Sequence, residues 1–217
     1  MKIGVLLDLD GTLLNTLEDL ADGVNVAMAQ MGYPLRELEE VRRFVGNGVG
    51  HLLRCAAPEG AELSPVMDAF MAWYSIHCQD KTRPYDGILE ALEELKKDYP
   101  IAVVSNKPDS AVKQLCQALF AGVYGLGQTD AIPRKPAPDM VWAAMKHLGV
   151  EKCIYVGDSE VDLKTAENAG VPCISVLWGF RTRQELEQAG ATLLCEHPSQ
   201  LKTTVDRARD ALFCTNP

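Results

Sequence analysis

The chain has 217 residues, 47% of them hydrophobic, and a formal net charge of −9. That apolar content supports one packed domain of good size, or a core with a smaller inserted domain, and excludes a disordered chain. The acidic balance argues against a nucleic-acid surface, which needs clustered Lys and Arg, so an anionic ligand must be attracted by local cations or a metal.

The first predicted element is a strand over residues 3–7, a continuous apolar run of the kind buried on both faces. It ends in Asp8-Leu9-Asp10-Gly11-Thr12. Strand alternation puts Asp8 and Asp10 on the same side. Two acids at the carboxyl end of a buried strand suit a cation and catalysis better than packing, because ligands of open α/β sheets gather at that end. Neighbouring carboxylates need a counter-charge, and a hard divalent cation such as Mg²⁺ supplies one.

Residues 17–31 carry helical spacing closed by Gly32, with Thr16 and Asp19 as an acidic variant of the capping box. Further helices are predicted over 35–44, 51–56 and 64–79, with a glycine-rich loop over 45–50. No strand pattern appears between Leu13 and Arg83. This reads as a small all-helical cap domain over 15–84, hinged near residues 14–16 and 82–87. The α/β core would then comprise 1–14 and 85–217.

The alternation resumes with a helix over 88–97, placing Leu89, Leu92 and Leu95 on one side. A strand over 101–104 ends in Ser105-Asn106-Lys107-Pro108. A helix over 111–120, a short strand over 123–126 and the turn Arg134-Lys135-Pro136 follow. A helix over 139–148 is closed by Gly149. A strand over 153–156 ends in Gly157-Asp158-Ser159-Glu160-Val161-Asp162, before a helix over 163–169. The last strand, 172–176, runs into Trp178-Gly179-Phe180, and 186–189 and 199–212 are helical. Alternation at this spacing implies a parallel sheet covered on both faces.

Seven cysteines, odd in number and without a CxxC pair, read as reduced thiols of a cytosolic protein. No zinc spacing, signal peptide or membrane-spanning run is expected.

Asp8/Asp10, Ser105/Asn106, Lys135 and Asp158/Asp162 can meet at one edge of such a sheet. They supply carboxylates for a metal, donors for oxyanions and one cation, which is an inventory for phosphoryl transfer. A carboxylate nucleophile would form an acyl-phosphate, whose hydrolysis by water needs a general base. Asp8 and Asp10 can divide that labour.

In this order the four motifs resemble those of the haloacid dehalogenase-type phosphatases, over nearly the whole chain. The resemblance implies a Rossmann-like parallel sheet core with helices on both faces and a small inserted helical cap. It implies Asp8 as nucleophile and Mg²⁺ ligand. Asp10 would be the general acid/base, giving its backbone carbonyl to the metal. Ser105 and the Asn106 backbone would hold phosphoryl oxygens, Lys135 would pair with Asp8 and the phosphate, and Asp158 would complete the Mg²⁺ site. Asp162 and Ser159 would stand behind these ligands, Asp162 there or through water, and Thr12 would face the substrate. An acid at position 10 points to the phosphatases, because dehalogenase members lack it.

The predicted cap is similar to that of the phosphoglycolate phosphatase branch, and Arg43-Phe44-Val45-Gly46-Asn47-Gly48-Val49-Gly50 looks like its substrate-facing loop. Gly46, Asn47 and Gly48 would bring backbone N–H groups to a carboxylate, and Arg43 could pair with one. The implied activity is Mg²⁺-dependent hydrolysis of a small phosphate ester, with 2-phosphoglycolate the best single candidate. Pyrophosphate or sugar phosphates, a phosphomutase, and a non-catalytic phosphate-binding module are the alternatives. No nucleic acid or membrane is expected as partner, and cap faces could pair in a homodimer.

Overall fold

A computed structural model describes residues 2–214, excluding the side chains of 213 and 214. The chain begins β1 (Ile3–Leu7), β2 (Leu14–Asn15), α1 (Leu17–Gln30), α2 (Leu38–Phe44), α3 (Val49–Ala56), α4 (Leu63–His77) and β3 (Arg83–Pro84). It continues α5 (Ile88–Lys96), β4 (Ile101–Pro108), α6 (Asp109–Leu119), β5 (Tyr124–Gln128), α7 (Asp139–Leu148) and β6 (Lys152–Gly157). It closes with α8 (Glu160–Ala169), β7 (Cys173–Val176), α9 (Arg183–Gln188), β8 (Leu193–Cys195), a 3-10 turn at Pro198–Gln200 and α10 (Leu201–Cys214).

Six strands form one parallel sheet in the order β5-β4-β1-β6-β7-β8. The chain builds from β1 towards β5, then returns to the other side of β1 to lay down β6. The carboxyl end of β1 therefore lies at the switch point where open α/β sheets hold ligands.

The apolar run of β1 is buried throughout because both faces are covered. Val5 and Leu7 join a cluster with Leu92 and Leu95 of α5, Leu115 of α6 and Val205 of α10. Leu6, one residue out of step, packs with Met140 and Val141 of α7 and Ala166 of α8. The period of two in a strand thus feeds both layers at once.

Helices α1–α4 have an apolar cluster of their own, built around Val24, Met28, Leu53, Val66, Phe70 and Tyr74. They leave the sheet and return to it through the antiparallel pair β2–β3.

Several expectations need correction. The predicted Thr16–Asp19 capping box is not formed. The Thr16 hydroxyl has no hydrogen-bond partner. Asp19 instead accepts the N–H groups of Lys81 (2.9 Å) and Thr82 (2.8 Å), tying α1 to the chain that returns from α4. Leu89 is 47% exposed, and the buried face of α5 is Ile88, Ala91, Leu92 and Leu95. Those positions follow i, i+3, i+4, i+7, whereas steps of three drift off the face. The short strands β2, β3 and β8 were not anticipated.

Candidate active site

The carboxyl ends of β1, β4 and β6 bring the acids together. The Asp8 N–H donates to the Val156 carbonyl at 2.9 Å, fixing Asp8 beside β6. Asp158 follows the last residue of β6, and Asp162 sits in the first turn of α8. There Asp162 forms a capping box with Ser159, accepting its N–H at 3.2 Å and its hydroxyl at 2.6 Å on Oδ2. Such a box satisfies backbone donors that the helix start leaves open.

These acids press against bare backbone. A Cβ on Gly157 would lie 2.3 Å from Asp162 Cγ, and one on Gly179 would lie 2.3 Å from Asp158 Cβ. Gly11 combines a φ of +84° with a Cβ direction 2.2 Å from Asp158 Oδ2, so only glycine serves there.

Lys135 Nζ stands 2.8 Å from both Asp8 Oδ1 and Asp162 Oδ1, and 3.1 Å from the Tyr155 hydroxyl. Its approach to Asp8 lacks hydrogen-bond alignment, which leaves Asp8 Oδ1 a buried oxygen with no aligned donor. Asp158 accepts the Thr12 hydroxyl at 3.1 Å and the Phe180 N–H at 2.7 Å. Oxygens of Asp8, Asp158 and Asp162 all lie within 4.8 Å of one another.

One ammonium among three buried carboxylates leaves a deficit of positive charge. Burial, then Asp162, pushes the Asp8 carboxyl well above its ordinary range against the pull of Lys135. Burial and Asp162 likewise raise Asp158 to about 7. An all-oxygen, charge-starved pocket, in which no aligned donor satisfies one buried Asp8 oxygen, fits a hard divalent cation better than a soft one.

Asn106 is a bracket. Its side chain accepts the Lys135 N–H at 2.8 Å and donates to the Lys135 carbonyl at 2.9 Å and the Gly46 carbonyl at 3.0 Å. It therefore fixes the Lys135 backbone and the glycine-rich loop together. Ser105 is buried, its hydroxyl oxygen accepting the Lys107 N–H at 3.2 Å.

Two further residues were missed from the sequence. Lys107 is buried and donates to Asp10 Oδ1 at 2.8 Å, beneath the ring of Tyr74 from α4 (4.9 Å to the centroid). Burial alone would lower its pKa, but the adjacent Asp10 outweighs that and keeps the ammonium charged. The available signal was a lysine directly continuing a buried strand. Arg181 pairs with Glu160 at 2.8 Å and donates to the carbonyls of Arg42 (3.2 Å) and Val45 (2.9 Å). Arg42 in turn donates to the Phe180 carbonyl.

A cavity, partly open to solvent, lies between the sheet and the helices. Asp8, Asp10, Ser105, Asn106, Lys107, Lys135, Asp158 and Ser159 line its sheet side. Leu20, Gly46, Gly48, Val49, Leu52 and Tyr74 line the other.

Not every candidate gathers there. Arg43 is exposed and borders a shallow surface hollow with Glu160, Glu185 and Gln188. Arg42 takes the inward direction, and the next helical residue is turned about 100° away. Asn47 is half-buried and does not line the cavity. Thr12 is fully buried against Asp158 instead of facing the cavity. The Asp10 carboxylate is held by Lys107, outside the three-acid cluster, where Asp162 stands.

Among the described residues no helix is long and apolar enough to cross a membrane. A family profile described as haloacid dehalogenase-like hydrolase matches residues 5–176. A phosphoglycolate phosphatase of Cereibacter sphaeroides is 37% identical over 191 residues, covering 82% of this chain and 86% of its own. One from Pseudomonas syringae pv. tomato is 31% identical over 206 residues, covering 88% and 75%. A crystal structure of a candidate phosphoglycolate phosphatase from Lactobacillus delbrueckii subsp. bulgaricus aligns with a TM-score of 0.87 at 36% identity, over 94% of this chain and 99% of that one. The acid cluster at the switch point, the profile match and these relatives agree: the chain belongs to the haloacid dehalogenase-like hydrolases, as a phosphoric monoester hydrolase similar to the phosphoglycolate phosphatases.

Proposed function

We propose that the protein hydrolyses 2-phosphoglycolate, with Mg²⁺ bound and with the phosphoryl group carried transiently on Asp8. The observation behind this reading is the buried Asp8 carboxylate, lining the cavity with one unaligned cation and two further acids beside it. The names of the Cereibacter and Pseudomonas relatives supply the choice of ester.

Asp8, Asp158 and the backbone carbonyl of Asp10 would hold the ion, with Asp162 and Ser159 behind them. When bound, Mg²⁺ supplies charge neutralisation for phosphate oxygens and carboxylates together. In the proposed reaction an Asp8 oxygen attacks phosphorus, and the P–O bond to the alcohol breaks as Asp10 protonates the leaving oxygen. Asp10, now ionised, takes a proton from water as that water attacks the phosphorylated Asp8. Phosphate leaves and the Asp8 carboxylate returns. The Lys135 ammonium offsets charge on Asp8 and the phosphoryl oxygens. The Ser105 hydroxyl and the Asn106 N–H donate to those oxygens, and Thr12 acts through Asp158. Gly46 and Gly48 of the 46–48 loop close the far side, with Asn47 turned out of the cavity between them. The reading also places the protein in the cytoplasm, and a homodimer paired through the helical insert is compatible with it.

The test is kcat/KM over 2-phosphoglycolate, pyrophosphate and sugar phosphates, with and without EDTA. The reading expects 2-phosphoglycolate to lead and EDTA to abolish phosphate release. A higher value for another ester would reassign the substrate. Isomerised sugar phosphate without free phosphate would make the protein a mutase, and binding without turnover a sensor.

A further inference from the structure

We propose that Lys107 and Tyr74 form the subsite for the substrate's carboxylate. This rests on the reading of the protein as a phosphatase for a carboxylate-bearing ester, and names what recognises that end of the molecule.

Lys107, Lys135 and Arg181 are the cations lining the cavity. Lys135 is shared between Asp8, Asp162 and Tyr155. Arg181 is taken by Glu160 and two backbone carbonyls. Lys107 meets a single carboxylate, Asp10. An ammonium has three donors, and this one retains capacity for a second anion.

Next to it the Tyr74 hydroxyl, 1% exposed as a residue, approaches the Lys107 ammonium but makes no aligned hydrogen bond. A buried polar atom left unpaired costs about 1–3 kcal/mol and asks for an explanation. Burial holds this phenol well above its ordinary pKa, so it remains a donor at neutral pH. The neighbouring walls, Leu20, Val49 and Leu52, are apolar. Among them a carboxylate finds two donors in largely apolar surroundings, where charge-assisted hydrogen bonds are strong.

Asp8, Lys107 and Tyr74 line the same cavity, so one small ester can meet all three. The pair supplies the function expected of Arg43, from inside the cavity.

The experiment compares 2-phosphoglycolate with ethyl phosphate, which carries a methyl group where the carboxylate stands. The readout is the ratio of the two kcat/KM values in wild type, Tyr74→Phe, Lys107→Met and Lys107→Arg. A misfolded fraction cancels in that ratio. The ratio should fall roughly tenfold in Tyr74→Phe and roughly a hundredfold in Lys107→Met, chiefly through KM for 2-phosphoglycolate, with partial recovery in Lys107→Arg. Parallel losses on both esters would overturn the subsite and place both residues in the support of Asp10. A wild-type preference that survives in every variant would also overturn it, while leaving the substrate reading intact. No wild-type preference for the carboxylate ester would overturn both. Preference for a different anionic ester that collapses in the same variants would reject 2-phosphoglycolate and uphold the subsite.

Discussion

The two walls of the cavity are built differently. On the sheet wall, Asp158 and Asp162 are held by named donors, from Thr12, Phe180, Ser159 and Lys135, and Asn106 braces the Lys135 backbone. On the helical wall stand Leu20, Val49 and Leu52, with one unpaired hydroxyl, that of Tyr74. The first arrangement fixes atoms to the precision a reaction needs. The second shapes space and leaves one polar group to be satisfied by what enters. On the proposed reading, chemistry resides in the strand ends, and selectivity where Lys107 of β4 meets Tyr74 of α4.

The sharpest way to break this division is at Asp8. Asp8→Asn should lower kcat for every ester by ~10⁴-fold or more, since an amide is neither nucleophile nor anionic ligand. Thermal unfolding should show a folded protein, because the amide removes a buried like-charge conflict. Retained turnover would move the chemistry elsewhere.

Lys135→Met comes next. It strips the one ammonium from Asp8 and Asp162, and breaking a buried pair from one side costs roughly 3–5 kcal/mol. Denaturant unfolding without metal should show that loss, and Mg²⁺ should restore part of it. An unchanged midpoint would mean that the acids do not need the cation.

The pH dependence follows from Asp158. It is held at about 7 in the folded protein against 3.8 for an unperturbed carboxyl. Between those values the metal-free folded state binds more protons than the unfolded chain, so its stability falls as pH rises through that window. Mg²⁺ must displace the proton, and its apparent affinity should drop about tenfold per pH unit below about 7. Calorimetric titration at several pH values checks this, and a flat profile would contradict it.

Arg43→Ala is the smallest effect. With the side chain exposed outside the cavity, kcat/KM for 2-phosphoglycolate should stay within about twofold, as surface substitutions usually do. A tenfold rise in KM would return Arg43 to the substrate.

How legible the molecule was depends on whether a signal is local. Ile3–Leu7 is an unbroken apolar run ending in two acids, so strand, burial and site are adjacent in sequence. Asp19 looks like a cap residue, but its partners Lys81 and Thr82 are more than sixty residues away. Lys107 continues a buried strand, and nothing near it in sequence announces Tyr74 of α4, which covers it. Arg42 and Arg43 are indistinguishable by type, and only the rotation of α2 decides which one turns inward. In β8 only Cys195 is buried, too little to mark a strand.

The claim beneath all of this is that Asp8 carries the phosphoryl group. The direct measurement is rapid acid quench during turnover of 2-phosphoglycolate, followed by mass spectrometry of the peptide containing Asp8 and Asp10. The account predicts one added phosphoryl group on Asp8, appearing and decaying at rates compatible with kcat, and absent in Asp8→Asn. An unmodified peptide throughout the burst, or a phosphoryl group on another residue, would contradict it.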